Sequence, residues 1–200
     1  MADAPESIQT TTPATTPGTA VVSDSPAISE RAIWLGALLI LVSDQLTKLW
    51  IVRQFPTPNS HDEIVVINGF FNLVHLTNDG AAFSMLKGQN LLLAVISLLA
   101  LLGLIYYRRS IDNSLATGKL ALGLLIGGIL GNFVDRIARG SVVDFIHVYI
   151  NRREGGPLSW PSFNIADSAI CIGVALLFFI AWTAPDPDAE KEIKEPPAGA

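Results

Sequence analysis

The chain has 200 residues, half of them hydrophobic and only 16% charged, with a mean hydropathy of +0.44. That balance excludes an ordinary soluble domain and points to a membrane protein. The net charge of −5, the lack of a basic surface run and the lone Cys171 argue against a nucleic-acid partner, an intrachain disulfide and a zinc-type cysteine spacing.

Residues 1–30 are rich in Thr, Ser and Pro, as in TTTPATTPGTA. They cannot bury enough apolar surface to fold, so a disordered extension is expected. A basic region of the kind that opens a secretory signal peptide is lacking, so the first apolar run, Ala32 to Val52, is expected to be retained as a helix. Its far end carries Asp44 and Lys48, whose i, i+4 spacing accounts for both as a helical ion pair.

In the segment Arg53 to Asn90, Ile64 to Ile67 and Phe70 to Leu76 are β-rich runs separated by Asn68-Gly69. This dipeptide suits a type I′ turn and predicts a hairpin. Asp79-Gly80 marks a second turn, and AAFSML after it reads as a short helix lying at the membrane interface. A sheet there offers either an edge on which a peptide can pair or a packing cap, and composition does not choose between them.

The second apolar run, Leu91 to Tyr107, ends in Tyr106-Tyr107-Arg108-Arg109, and the third, Leu120 to Val134, is glycine-rich. Gly123, Gly127 and Gly131 recur every four residues, a spacing that lets another helix approach closely. Gly128, Gly131, Asn132 and Asp135 share one stripe with Arg136 beside it, so Asn132 and Asp135 need partners at a helix interface. Asp135 and Arg136 read as structural, through pairing or by holding loop carbonyls.

Asp144 lies in VVDFIHVYI, where alternation suggests a strand or an interfacial turn, and a carboxylate between Val143 and Phe145 has no local partner. Asp167 has one: with Asn164 as N-cap it becomes the N3 residue of a capping box, Asp standing for the commoner Glu. The fourth run, Ile165 to Thr183, contains Cys171, read as a small packing residue, and an acidic, Pro-rich tail follows. The expected units are thus 1–30, a folded 31–184 and a disordered 185–200.

Four runs of roughly the ~20 residues needed to cross the hydrocarbon core imply four spans. Both tails and the Arg108 to Lys119 loop then share one side, and nearly all the unusual polar residues share the other. Lys and Arg are divided almost evenly between the sides, so charge bias does not orient the chain beyond a preference from the Tyr-Arg cluster for a cytoplasmic tail side. A carboxylate at a helix centre costs ~2.5 to 3.5 kcal/mol by the lower estimates, so Asp144 and Asp167 are functional candidates, and two together suggest acid/base work.

The strings SDQLTK, TNDGAAFSML, GGILGNFVDR, GSVVDFI and FNIADSAI, in this order among four spans, resemble the lipoprotein signal peptidases (signal peptidase II) over about residues 33–183. The resemblance implies an α-helical membrane protein of four transmembrane helices with a small extracytoplasmic β-cradle and a short interfacial helix. It implies an aspartic endopeptidase that cuts bacterial prolipoproteins before a diacylglyceryl-modified cysteine, needing no cofactor or metal, with Asp144 and Asp167 catalytic. Asp44, Asn78, Gly80, Asn132, Asp135, Arg136 and Asn164 match supporting or substrate-binding positions. A monomer in the bacterial inner membrane is implied, in contact with lipid and prolipoprotein, with cytoplasmic termini and a site facing the outer leaflet. The NRREGGPLSW segment looks lengthened for this family. Without the resemblance, a proton-coupled transporter or a non-catalytic membrane scaffold remains open.

Overall fold

The computed structural model describes residues 30–80, 85–108, 116–152 and 156–184. The two tails, and most of the AAFSML segment expected to form an interfacial helix, lie outside the described residues. Among the described residues, four helices are long and apolar enough to cross a membrane: α1 (Arg31–Gln54), α2 (Asn90–Tyr107), α3 (Ala116–Arg139) and α4 (Ile165–Thr183). Four strands, β1 (Ile64–Ile67), β2 (Phe71–Asn78), β3 (Val142–Asn151) and β4 (Pro157–Ser159), form one antiparallel sheet in the order β1-β2-β3-β4.

The third span is the centre of the bundle, and it is longer than its apolar run. The helix continues from Ala116 through Arg139 because Asn132 and Asp135 find partners inside the bundle and so need not end it. Its glycines set the packing distances on two sides. A Cβ on Gly127 would lie 2.6 Å from the Ala37 carbonyl oxygen of α1, and one on Gly128 would lie 2.6 Å from the Ala166 carbonyl oxygen of α4. The pattern is reciprocated by Gly173 of α4, where a Cβ would meet Leu125 Cγ at 2.7 Å. Without a hydrophobic drive between helices in lipid, such backbone proximity is what holds them together.

The outer flanks of the helices remain apolar and exposed, with Leu91, Leu99, Phe178 and Trp182 among the most open side chains. In water that surface would be a liability; in a bilayer it is the solvated face. Tyr106 and Trp182, at the ends of α2 and α4, suit the headgroup level.

The predicted hairpin is present, but its turn differs. Three residues, 68–70, connect Ile67 to its register partner Phe71, and Gly69 has φ 77 whereas Asn68 is not in the left-handed region, so the turn is not type I′. A register shift between Val65 and Ile67 absorbs the extra residue, and the freed Phe70 carbonyl accepts Tyr149 N–H at 2.9 Å, tying the turn to β3. The NRREGGPLSW segment, which looked lengthened in the sequence, gives Asn151 at the end of β3 and all of β4, with Tyr149 opposite Ser159. A small cluster of Ile51, Phe55, Val143 and Phe145 seats this sheet on the end of α1.

Candidate active site

Asp144 and Asp167 reach one place by different routes. Gly140, with φ 76, ends α3 in a conformation that favours glycine, and the chain enters β3 two residues later. Val143 N–H donates to Asp135 Oδ2 at 3.2 Å, which fixes the start of β3 against the last turn of α3 and so positions Asp144. On the other side, Phe163 bridges to Ile146, its carbonyl accepting Phe145 and Ile146 N–H at 3.0 and 2.8 Å. The bridge brings the start of α4 alongside β3.

Asn164 then caps α4 in the predicted reciprocal fashion: its Oδ1 accepts Asp167 N–H at 2.8 Å, and Asp167 Oδ2 accepts Asn164 N–H at 3.3 Å. The cap does not use up the carboxylate. Asp167 Oδ1 accepts Asn132 Nδ2 at 2.7 Å, while Asp144 Oδ1 accepts Asn164 Nδ2 at 2.9 Å and Asp144 Oδ2 accepts Asn78 Nδ2 at 3.0 Å. All four carboxylate oxygens therefore face an N–H donor, and Asn164 touches both aspartates.

Asp144 is only 4% exposed. Burial, and after it the neighbouring Asp167 carboxylate, push its carboxyl up to about 7 against the donors from Asn78 and Asn164. A carboxyl so buried beside a second carboxylate resists taking up its own negative charge.

The other expected residues surround this pair. Asn78 Oδ1 accepts Gly80 N–H at 3.0 Å, and Gly80 returns its carbonyl to Arg136 at 3.2 Å, so the turn after β2 is held from both sides. Gly80 is needed sterically, since a Cβ there would meet the Met85 carbonyl oxygen at 2.8 Å. Asp135 accepts Lys48 at 2.9 Å and Arg139, and not the adjacent Arg136, whose guanidinium goes to the Gly80 carbonyl. Asp44 is more than an i, i+4 partner: besides Lys48 at 2.8 Å, it accepts Ala166 N–H at 2.9 Å and so holds the first turn of α4.

A cavity of about 1000 Å³ opens over the pair, bordered by the Asn78 to Gly80 turn, Arg136, and Trp160 to Phe163, and running along α4 past Ser168. Cys171 also borders it and is exposed, so it is not the packing residue expected; it lies one helical turn beyond Asp167 on the same face. Sequence reasoning also missed Trp160 and Lys87 at the rim, and Asn90, which donates to the Arg136 carbonyl at 2.9 Å. None carried a signal, because their roles come from loops folding back. Among the described residues no group of three His, Cys, Asp or Glu side chains is placed to hold a metal ion.

The family model described as "Signal peptidase (SPase) II" matches residues 36–183. The chain belongs to the signal peptidase II family. It is 39% identical over 150 residues to the lipoprotein signal peptidase of Anoxybacillus flavithermus, covering 75% of this chain and 84% of that one. With the lipoprotein signal peptidase of Bacillus subtilis it shares 41% over 142 residues, 71% of this chain and 87% of that one. Two bacterial membrane enzymes solved by the in meso method, at 2.3 and 1.9 Å, superpose with TM-scores of 0.66 and 0.64 at 30% and 32% identity. They cover 85% and 78% of this chain, and each is covered to 95%. The chain is thus a multi-pass membrane protease of the signal peptidase II family, and its family removes signal peptides from prolipoproteins.

Proposed function

We propose that this signal peptidase is an intramembrane aspartic endopeptidase in which Asp144 and Asp167 are the catalytic pair, cutting a prolipoprotein just before its diacylglyceryl-modified cysteine. The observation that carries the reading is the convergence of two buried carboxylates, from β3 and from the first turn of α4, on one open cavity. In the reaction, the ionised carboxylate takes a proton from a water whose oxygen attacks the scissile carbonyl carbon. The protonated partner hydrogen-bonds the carbonyl oxygen, and a proton is then delivered to the departing amine as the C–N bond breaks. Asn78, Asn132 and Asn164 hold the carboxylates in place through the reaction, and Arg136 and Gly80 shape the rim.

The substrate class suits the geometry. The signal peptide is an apolar helix and the cysteine carries two acyl chains, so the scissile bond is presented from within the bilayer to a cavity flanked by lipid-facing helices. By the same reading the protein sits in the bacterial inner membrane with cytoplasmic termini and the site toward the outer leaflet, acting as a monomer. Proton-coupled transport is disfavoured because, among the described residues, every buried residue of α3 between Lys119 at one end and Asn132 at the other is apolar, which gives no polar path along this central helix.

The test is turnover of a diacylglyceryl-modified prolipoprotein by purified protein. Asp144→Asn and Asp167→Asn should each lower the rate by about 10²–10⁴-fold or more while circular dichroism and melting remain those of a folded helical protein. Turnover within tenfold of the parent by either variant would remove that residue from the pair. An unmodified prolipoprotein, run alongside, should be cleaved poorly.

A further inference from the structure

Among the described residues Lys48 is the largest side chain that is wholly buried, and the reaction as described does not use it. Its ammonium lies on α1 between α3 and the first turn of α4, and all three of its protons are committed. They go to Asp44 Oδ2 at 2.8 Å, Asp135 Oδ2 at 2.9 Å and Asn132 Oδ1 at 3.0 Å. The first two contacts make an ion cluster. The third is to a neutral amide, which an ion cluster does not require.

We propose that Lys48 is a positioning residue for the peptidase reaction, fixing the Asn132 amide so that its NH2 group, and never its oxygen, faces the Asp167 carboxylate. Asn132 Oδ1 accepts from Lys48 and from Asn164 Nδ2, at 3.0 and 3.2 Å, which leaves Nδ2 to donate to Asp167 Oδ1 at 2.7 Å. Turning the amide over would set N–H groups against an ammonium and against Asn164, and would place an oxygen against a carboxylate. A neutral residue at position 48 would remove the larger part of that preference. Lys48 also acts on α4 itself, because Asp44, which it holds, accepts the N–H of Ala166, the neighbour of Asp167.

Charge is the second route by which Lys48 reaches the pair. Its ammonium favours the ionised form of Asp144. The other charged groups facing the pair are Arg136 from α3, with Asp135 behind it, Asp44 from α1, and Asp79 and Lys87 at the cavity rim. Of these, Lys48 is the one that reaches Asp167 through a single intervening side chain on the bundle side. The inference rests on the assignment of Asp144 and Asp167 as the catalytic pair.

The experiment compares two variants with the parent on a diacylglyceryl-modified prolipoprotein peptide, measuring kcat, KM and the pH profile of kcat. Lys48→Met alone leaves Asp44 and Asp135 uncompensated and threatens folding. The triple variant Asp44→Asn, Lys48→Met, Asp135→Asn removes that burden. In whichever of the two retains its helicity and a cooperative melt, kcat should fall by about 30-fold or more and KM should change by less than about threefold; in Lys48→Met the acid limb of the profile should also move to higher pH, a shift not expected of the triple variant because it removes carboxylates whose charge opposes that of Lys48. A kcat within about threefold of the parent with an unmoved acid limb would overturn the assignment, as would a loss that only tracks the folded fraction. Asp144→Asn and Asp167→Asn, run in the same assay, separate the two readings: if they turn over substrate the catalytic pair is wrong, and if they are dead while the Lys48 variants run normally only the positioning role is wrong.

Discussion

Asp144 departs furthest from the habits of its residue type, since burial holds its carboxyl near 7 where 3.8 is usual. The folded state therefore favours the neutral form. Stability from that preference is fully present below about 3.8 and is lost as pH rises toward 7, because the unfolded chain gives up its proton first. Replacing the residue with Asn removes the titration. The melting temperature of the parent in detergent should thus fall relative to that of Asp144→Asn between pH 4 and 8, and parallel curves would contradict the burial of a titrating carboxyl. On the proposed mechanism, turnover should also decline above about pH 7, as Asp144 gives up its proton.

At the scale of elements, the close approach of α3 to its neighbours makes a position-specific prediction. Gly127→Ala would press a methyl group against the Ala37 carbonyl oxygen and against Ile40 Cβ, at 2.6 and 2.8 Å if nothing moved, and should destabilise the bundle by about 1–3 kcal/mol. Gly103 on α2 has nothing within 4 Å of an added Cβ, so Gly103→Ala should be neutral or mildly stabilising. Thermal melts of the two variants in one detergent would check this, and equal losses would mean that glycine acts here only through helix propensity. The contrast was half legible in the sequence. The four-residue repeat of Gly123, Gly127 and Gly131 pointed to close packing, but which helix each glycine meets depended on the arrangement of α1 and α4.

For the whole molecule, the decisive feature is that the cavity, as the described residues border it, runs from the aspartates along α4. Cys171 is exposed on that flank, so Cys171→Trp should fold normally yet obstruct the space beyond Asp167, lowering kcat/KM for a lipidated prolipoprotein at least tenfold. Steady-state turnover with a matched melt measures both, and an unchanged kcat/KM would show that substrate does not use this flank.

The sequence by itself determined the solvent, the number of spans and the hairpin, because these follow from apolar run length and from β-rich segments joined at a turn. It also located the cap of α4, since Asn164 and Asp167 are three residues apart and bond locally. The turn type and the full length of α3 lay beyond it, as both depend on residues distant in the chain: Tyr149 for the turn, Lys48 and Asp167 for the end of α3. The same holds for the site. Asp144 stood out in the sequence because no neighbour satisfied it, whereas Asp44 looked complete with Lys48 four residues away. Only the tertiary structure made Asp44 a clasp on α4 and brought Asp144 beside Asp167, through the Phe163 bridge to β3. Local hydrogen bonds and hydropathy can be read from spacing; a buried network joining four helices and a sheet exists only where those elements meet.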